Sequence, residues 1–222
     1  MIGLPAGGEI AFMFVYTAII FALIRHFGDA AQAGFGIGTR LTQAIFLPGM
    51  AVAFAVAPIA GQNFGAGNGE RVRAALRSAI IFCSAVMLLL TVLCQLRPDL
   101  LVRFFTDDPS VVTQGTLYLR IISWNFVATG IVLSCSAMFQ ALGNTWPALL
   151  STSSRLLTFV LPAFWLASRP QFRIEDVWYL SVATVTMQAA TSLFLVSREF
   201  RKRLLTRVAA PAAVSMVETV DV

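Results

Sequence analysis

Apolar residues recur along this chain in six long runs, and short polar segments separate one run from the next. Each run holds about 20 residues with one charge or none, which is the length of helix that crosses about 30 Å of hydrocarbon. The pattern therefore predicts an all-α, polytopic membrane protein built as a six-transmembrane-helix bundle. We expect this bundle to occupy residues 1–197, with spans at about 5–27, 30–61, 72–96, 111–140, 147–168 and 175–197.

The composition supports a membrane protein and excludes the ordinary soluble enzyme classes. Apolar residues make up 58% of the chain and charged residues 12%, against about 45–50% and about 25% in soluble domains. Cys83, Cys94 and Cys135 lie inside apolar runs, where a free cysteine behaves as a small hydrophobic residue. The single histidine, His26, cannot form a His-ligated metal site. No metal and no cofactor are therefore expected.

The positive charges lie between and after the predicted spans, where they orient a protein in a membrane. The formal net charge of +5 is therefore not a sign of nucleic-acid binding. The side of the membrane that carries both termini holds Arg71, Arg73, Arg77, Arg198, Arg201, Lys202, Arg203 and Arg207, against Arg25, Arg97, Arg103, Arg169 and Arg173 on the other side. This excess predicts that both termini are cytoplasmic in a cell membrane. Residues 198–222 would form a basic cytoplasmic tail, disordered from Val208 onward.

Polar residues recur at helical spacing on four of the predicted helices. The faces that carry them hold Glu9, Met13, Tyr16 and Thr17 on the first, Asn125, Thr129, Ser136 and Gln140 on the fourth, Ser151, Arg155, Thr158 and Pro162 on the fifth, and Ser181, Thr184, Gln188 and Thr191 on the sixth. Such a stripe forms where a helix faces a cavity or a neighbour. Serine, threonine and amide side chains at these positions would also join helices by hydrogen bonds.

Two ionisable residues within the spans are the sharper candidates, because a charge at bilayer depth is costly and usually functional. Arg155 lies about two turns inside the fifth helix, where it is either functional or a buried packing partner. Glu9 lies one turn inside the first helix. Its carboxylate either interacts with the helix dipole or faces a cavity and binds a proton or cation.

A polar loop, Gly61-Gln62-Asn63-Phe64-Gly65-Ala66-Gly67, is predicted between the second and third spans. Its glycines allow a sharp turn, and Gln62 and Asn63 can hydrogen-bond carbonyls left open at the end of the helix. Prolines inside the spans remove backbone hydrogen bonds and predict kinks. These prolines are Pro48, Pro58 and Pro162.

The segment from Pro58 to Gly67, followed by Arg71-Val72, resembles the signature after a kinked helix in multidrug and toxic compound extrusion (MATE) transporters. Two further stretches resemble the same family. They are Phe104-Phe105-Thr106-Asp107-Asp108-Pro109 with Tyr118-Leu119-Arg120, and Phe139-Gln140-Ala141-Leu142-Gly143-Asn144-Thr145. Three matches in order over about 200 residues make the resemblance specific.

The resemblance implies the C-terminal six-helix lobe of a secondary-active antiporter. Such proteins are about twice this length and place two lobes around a central cavity. They export cationic or amphipathic small molecules in exchange for protons or sodium ions. An N-terminal lobe or a second copy would be needed to complete the cavity, with membrane lipid around it. The chain would be a fragment, a split-gene product or a half-transporter.

The resemblance also places the family's acidic coupling positions near Met13 and Thr129, neither of which carries a charge. Glu9 lies one turn from Met13 and could substitute, so the coupling ion stays open. The candidates for transport or coupling are Glu9, Tyr16, Asn125, Thr129, Gln140, Arg155 and Gln188.

Two rival interpretations remain beside the antiporter lobe. The first is a truncated membrane fragment that transports nothing, and the second is a lipid-linked oligosaccharide flippase of the same superfamily. A membrane enzyme is disfavoured, because the sequence has no paired intramembrane acids, no His-rich metal motif and no Gly-x-Ser-x-Gly elbow.

Overall fold

A computed structural model describes residues 3–208, and it describes the side chains of residues 7–203. Within that range every regular element is helical. The helices are α1 Gly3–Ile24, α2 Asp29–Gly65, α3 Gly69–Leu96, α4 Pro98–Arg103, α5 Pro109–Ile122, α6 Asn125–Ala141, α7 Trp146–Ala167 and α8 Ile174–Val208, with a 3-10 turn at Arg25–Phe27. Among the described helices, five are long and apolar enough to cross a membrane, or six if α5 and α6 count as one bent span. The all-α bundle is therefore confirmed.

The fourth predicted span is not one continuous helix. The chain bends by 57° between α5 and α6, at Ser123 and Trp124. Side chains of α3 bind the carbonyls that the bend frees: Gln95 Nε2 donates to the Arg120 carbonyl at 2.7 Å, and Thr91 Oγ1 donates to the Ser123 carbonyl at 3.0 Å. A membrane helix breaks at low cost only where neighbouring protein satisfies the freed groups. The break contains neither proline nor glycine, so it has no local sequence signal.

The predicted glycine loop is largely helical. Because α2 continues to Gly65, the residues Gly61, Gln62 and Asn63 lie in its last turns. Only residues 66–68 form the turn, where Gly67 has a φ of 75°. Asn63 Nδ2 donates to the carbonyl of Ile59, four residues earlier within α2, at 2.8 Å, so this bond does not reach a carbonyl left open at the end of the helix. Gln62 is exposed and makes no such bond.

Helices α2 and α7 continue through the prolines that predict kinks. Pro48 and Pro58 lie inside α2, and Pro162 lies inside α7. A proline inside a helix removes one backbone hydrogen bond without ending the helix when the surrounding bundle supports it. The kinks themselves stay a prediction.

Helix α8 extends beyond the predicted end of the sixth span. It runs to Val208, so the first part of the basic tail is helical. Arg203 explains the extension: its Nη1 donates to the Leu142 carbonyl at 2.8 Å, and its Nε contacts Glu199 at 2.9 Å. The tail is therefore held against the C-terminal end of α6. The predicted disorder falls almost wholly on residues 209–222, which lie outside the described residues.

Glycines bring α2 and α5 into close contact. A Cβ added at Gly34 would lie 2.8 Å from the Gly115 backbone nitrogen, which is closer than real side chains approach. Small residues permit this approach in membrane bundles, where packing replaces the hydrophobic effect. Phe35 and Trp178 then stack beside the contact with ring centroids 5.4 Å apart. This side of the bundle is closely packed from helix to helix.

Candidate functional site

The Glu9 carboxylate lies inside the bundle, where α1 meets α6 and α7. Ser136 Oγ and Thr152 Oγ1 each donate a long hydrogen bond of 3.4 Å to one of its two oxygens. Gln188 Nε2 donates in turn to Thr152 Oγ1 at 3.4 Å. One acid is therefore linked to three other helices through neutral groups.

Two serines extend this cluster between α7 and α8. The hydroxyls of Ser151 and Ser192 lie 2.7 Å apart, and both residues are buried. The crevice that the cluster lines is too narrow to hold a water molecule in this conformation. Glu9, which is half-buried, is thus held by protein hydroxyls on its inner side.

A second polar cluster surrounds Tyr16, which also lies on α1. The Tyr16 hydroxyl is 2.8 Å from Ser181 Oγ on α8, and Asn125 Nδ2 donates to the same oxygen at 3.5 Å. The Arg155 guanidinium lies over the Tyr16 ring, with its carbon 4.3 Å from the ring centroid. Phe159 packs edge-on against that ring at 4.7 Å.

The two clusters form one polar strip along the inner faces of α1, α6, α7 and α8. Glu9 and Tyr16 are seven residues apart, which is two helical turns or about 10 Å. Gln188 and Ser181 have the same separation on α8. Parts of the polar stripes predicted on these four helices therefore meet inside the bundle, whereas Met13 and Gln140, which belong to the same predicted stripes, are exposed.

Most of the predicted site residues lie in the strip, and two do not. Glu9, Tyr16, Asn125, Arg155 and Gln188 are joined to it by the contacts above. Gln140 is exposed at the end of α6, and Thr129 is half-buried without a hydrogen bond to either cluster.

Sequence reasoning missed Thr152 and Ser192. Ser192 lies four residues after Gln188, and Thr152 lies three residues before Arg155. Both spacings are those of neighbours on one helix face. Extending each predicted stripe by three or four residues would therefore have found both residues.

The strip has the chemistry of a site for a proton or an alkali cation. It contains one carboxylate with hydroxyl and amide oxygens, which are the kinds of group that suit hard cations. Among the described residues no group of three or more His, Cys, Asp or Glu side chains could hold a metal ion. The described ion pairs join Arg97 to Asp99, Arg173 to Glu175 and Arg203 to Glu199. Within the described part of the chain, neither Glu9 nor Arg155 has an opposite charge as a partner.

A bundle of membrane-spanning helices with a polar strip on its inner faces is the architecture of a membrane transport protein. Comparison with known proteins shows which family of membrane transport proteins this is. The MatE family model matches residues 5–165, which is well over half of the chain. The chain belongs to the MatE family, whose members among its relatives include multidrug resistance proteins.

Individual relatives show the same family and a consistent difference in length. The probable multidrug resistance protein YpnP of Bacillus subtilis (strain 168) is 35% identical over 184 residues, which cover 80% of this chain and 38% of that protein. The probable multidrug resistance protein NorM of Thermotoga maritima is 27% identical over 210 residues, covering 93% of this chain and 45% of that protein. The chain thus spans less than half the length of these relatives.

Solved structures show the same fold over the same fraction. An outward-facing multidrug resistance MATE family transporter of the MOP superfamily superposes with a TM-score of 0.85 at 21% identity. The match covers 91% of this chain and 46% of that one. The described bundle therefore has the fold of one lobe of such a transporter.

Proposed function

We propose that this chain is the second lobe of a secondary-active antiporter that exports cationic or amphipathic small molecules. The exported molecules would be exchanged for protons or sodium ions by alternating access, as the lobe rocks against a partner lobe. The family and the half-length match support the role of a lobe. The exchange mechanism and the ion are inferred from the site.

The observation that carries the exchange mechanism is the Glu9 carboxylate held by hydroxyls of two other helices. When Glu9 is ionised, both of its oxygens accept bonds from Ser136 and Thr152. A proton on Glu9 removes the charge and replaces one acceptor by a donor, and a sodium ion would compete for the same oxygens. Either change alters the contacts that join α1 to α6 and α7, so occupancy by the ion is linked to helix packing.

The apolar outer face of α1 supports a partner lobe or surrounding lipid. Ile10, Met13 and Phe14 have 60%, 61% and 73% of their surfaces exposed. We propose an N-terminal lobe, or a second copy, as the wall that completes the cavity. A multi-pass location in the cell membrane with both termini cytoplasmic fits the positive-inside count.

Reconstitution in proteoliposomes tests the proposal. The purified chain is inserted alone and together with the N-terminal lobe of the Thermotoga maritima relative, and a proton or sodium gradient is then imposed. We expect gradient-driven movement of ethidium by the completed assembly. Gradient-independent, background-level movement in every preparation would support the non-transporting fragment instead. Movement of a lipid-linked oligosaccharide with no movement of ethidium would support the flippase.

A further inference from the structure

Arg155 carries a positive charge near the middle of its helix. It is the tenth residue of α7, so it lies about 14 Å along the axis from Trp146 and about 18 Å from Ala167. Those distances place its Cα near the centre of a hydrocarbon layer of about 30 Å. A charge at that depth is costly unless another group compensates it.

The described surroundings compensate this charge only in part. Arg155 Nε is buried and has no hydrogen-bond partner among the described residues. The ring of Tyr16 covers the guanidinium, but a cation–π contact is weaker than a charge-assisted hydrogen bond. Glu9, the acid of the strip, contacts Ser136 and Thr152 instead.

The polar groups that connect to Tyr16, the residue whose ring Arg155 covers, are neutral and can donate hydrogen bonds. They are the hydroxyls of Tyr16 and Ser181 and the amide of Asn125. Asn125 is only 4% exposed, and its Oδ1 atom has no partner. The cluster therefore holds a cation with no opposite charge beside it among the described residues, several donors and an amide whose oxygen is unpaired.

We propose that this cluster binds the carboxylate or phosphate group of an amphipathic substrate, with Arg155 as its main contact. The Nε edge of a guanidinium presents two parallel N–H groups, which match the two oxygens of such an anion. Tyr16 and Phe159 offer aromatic surface for the apolar part of the molecule. Because Nε is enclosed here, binding requires the half-buried Arg155 side chain to turn away from the Tyr16 ring.

The proposal rests on the proposed transport function and narrows its substrate class. Among amphipathic molecules it selects those with an anionic group, including zwitterions. A plain cation such as ethidium gains nothing from Arg155, so its binding would depend on other parts of the completed cavity. Glu9, about 10 Å away along α1, remains available to the exchanged ion.

Calorimetric titration of the full chain in lipid nanodiscs tests the site with four matched probes. They are 2-naphthoate, 2-naphthyl phosphate, neutral 2-naphthamide and cationic 2-naphthylmethylammonium. We expect both anions to bind at least about tenfold more tightly than the amide, the difference that a good charge-assisted pair produces. The ratio of the two anion affinities then shows whether carboxylate or phosphate is preferred.

Variants assign the preference to Arg155. Arg155→Gln should lower the affinity for both anions to that of the amide, while leaving the amide affinity unchanged. Arg169→Gln is the matched control, since Arg169 also lies over an aromatic ring, Trp165, at 3.6 Å, but at the end of α7. That variant should keep the preference.

A second variant keeps the test decisive if Arg155→Gln does not fold. Asn125→Asp supplies an internal counter-ion and should remove the preference for anions. Equal binding of all four probes by the wild type would overturn the proposal, and so would a preference that survives in the folded Arg155 or Asn125 variants. Because no gradient and no partner lobe are needed, a failure here is distinct from a failure of ion-driven export.

Discussion

The two sides of this bundle are held together by different means. On one side α2 packs against α3, α5 and α6, and on the other α8 packs against α6 and α7 while α1 packs against α7. The first side is marked by glycines that bring the backbones of α2 and α5 into contact, with hydrogen bonds from α3 only at the α5–α6 break. The second side is joined along its length by hydroxyl and amide hydrogen bonds between helices. Backbone contacts leave no room for adjustment, whereas hydroxyl bonds can exchange partners. We infer that the first side is the rigid frame. The second side contains the groups that change their hydrogen-bond partners.

The largest effect is expected from an added methyl group in the glycine-packed side. Gly34→Ala would place a Cβ 2.8 Å from the Gly115 backbone nitrogen, and backbone cannot move aside as a side chain can. We expect the free energy of unfolding to fall by about 1–3 kcal/mol or more, the range for overpacked cores. A thermal melt of the purified protein in detergent measures it.

Gly36→Ala is the matched control on the same helix, because nothing lies within 4 Å of its added Cβ. Alanine is favoured over glycine inside a helix by about 0.5–1 kcal/mol, so this variant should be unchanged or slightly more stable. Equal melting temperatures for both variants would contradict the account of the close-packed frame.

A smaller loss of stability is expected when hydroxyl groups are removed from the hydrogen-bonded side of the bundle. Ser151→Ala and Ser192→Ala each break the buried hydroxyl pair at 2.7 Å. Interhelical polar bonds in membranes contribute about 0.6 kcal/mol on average, so each loss should be modest. The double variant should cost little more than either single one, because the same bond is already lost.

Unfolding of the four proteins in a double-mutant cycle measures this coupling. Ser197→Ala serves as the control, since its exposed hydroxyl bonds, among the residues that the structure describes, only to Leu193 within α8. Additive losses for Ser151 and Ser192 would show that the pair does not join the helices.

The smallest effect on stability is expected from the charge of Asp108, at the start of α5. Asp108 accepts hydrogen bonds from the backbone nitrogen and hydroxyl of Ser110 at 2.8 and 2.6 Å, and these bonds hold the pKa of the exposed carboxyl below its ordinary value of 3.8. Because the pKa is lowered in the fold, the stabilisation is present above the ordinary value. It is lost as the pH falls through the lowered pKa.

Asp108→Asn tests that charge, since asparagine also caps helices but does not titrate in this range. The wild type should melt at a slightly higher temperature than the variant at about pH 6. That difference should shrink at about pH 3. A difference that grows toward low pH would contradict the assigned sign.

The sequence predicted the spans and most of the strip because both depend on local chemistry. Long apolar runs have few alternatives to membrane helices, and helical spacing aligned Glu9 with Tyr16 and Ser181 with Gln188. The break at Ser123 was missed because the side chains that bind its carbonyls, Thr91 and Gln95, lie on another helix, α3. The extension of α8 was missed for the same reason, since the Leu142 carbonyl that binds Arg203 belongs to another helix.

The most direct test of the account is ion-driven efflux by a completed assembly that carries Glu9→Gln. The matched control is Glu70→Gln, which changes an exposed acid in the first turn of α3. Under an imposed proton or sodium gradient in proteoliposomes, the account predicts that Glu9→Gln inserts normally but loses gradient-driven efflux, while Glu70→Gln transports like the wild type. Unchanged efflux by Glu9→Gln would contradict the role of the Glu9 strip as the coupling site.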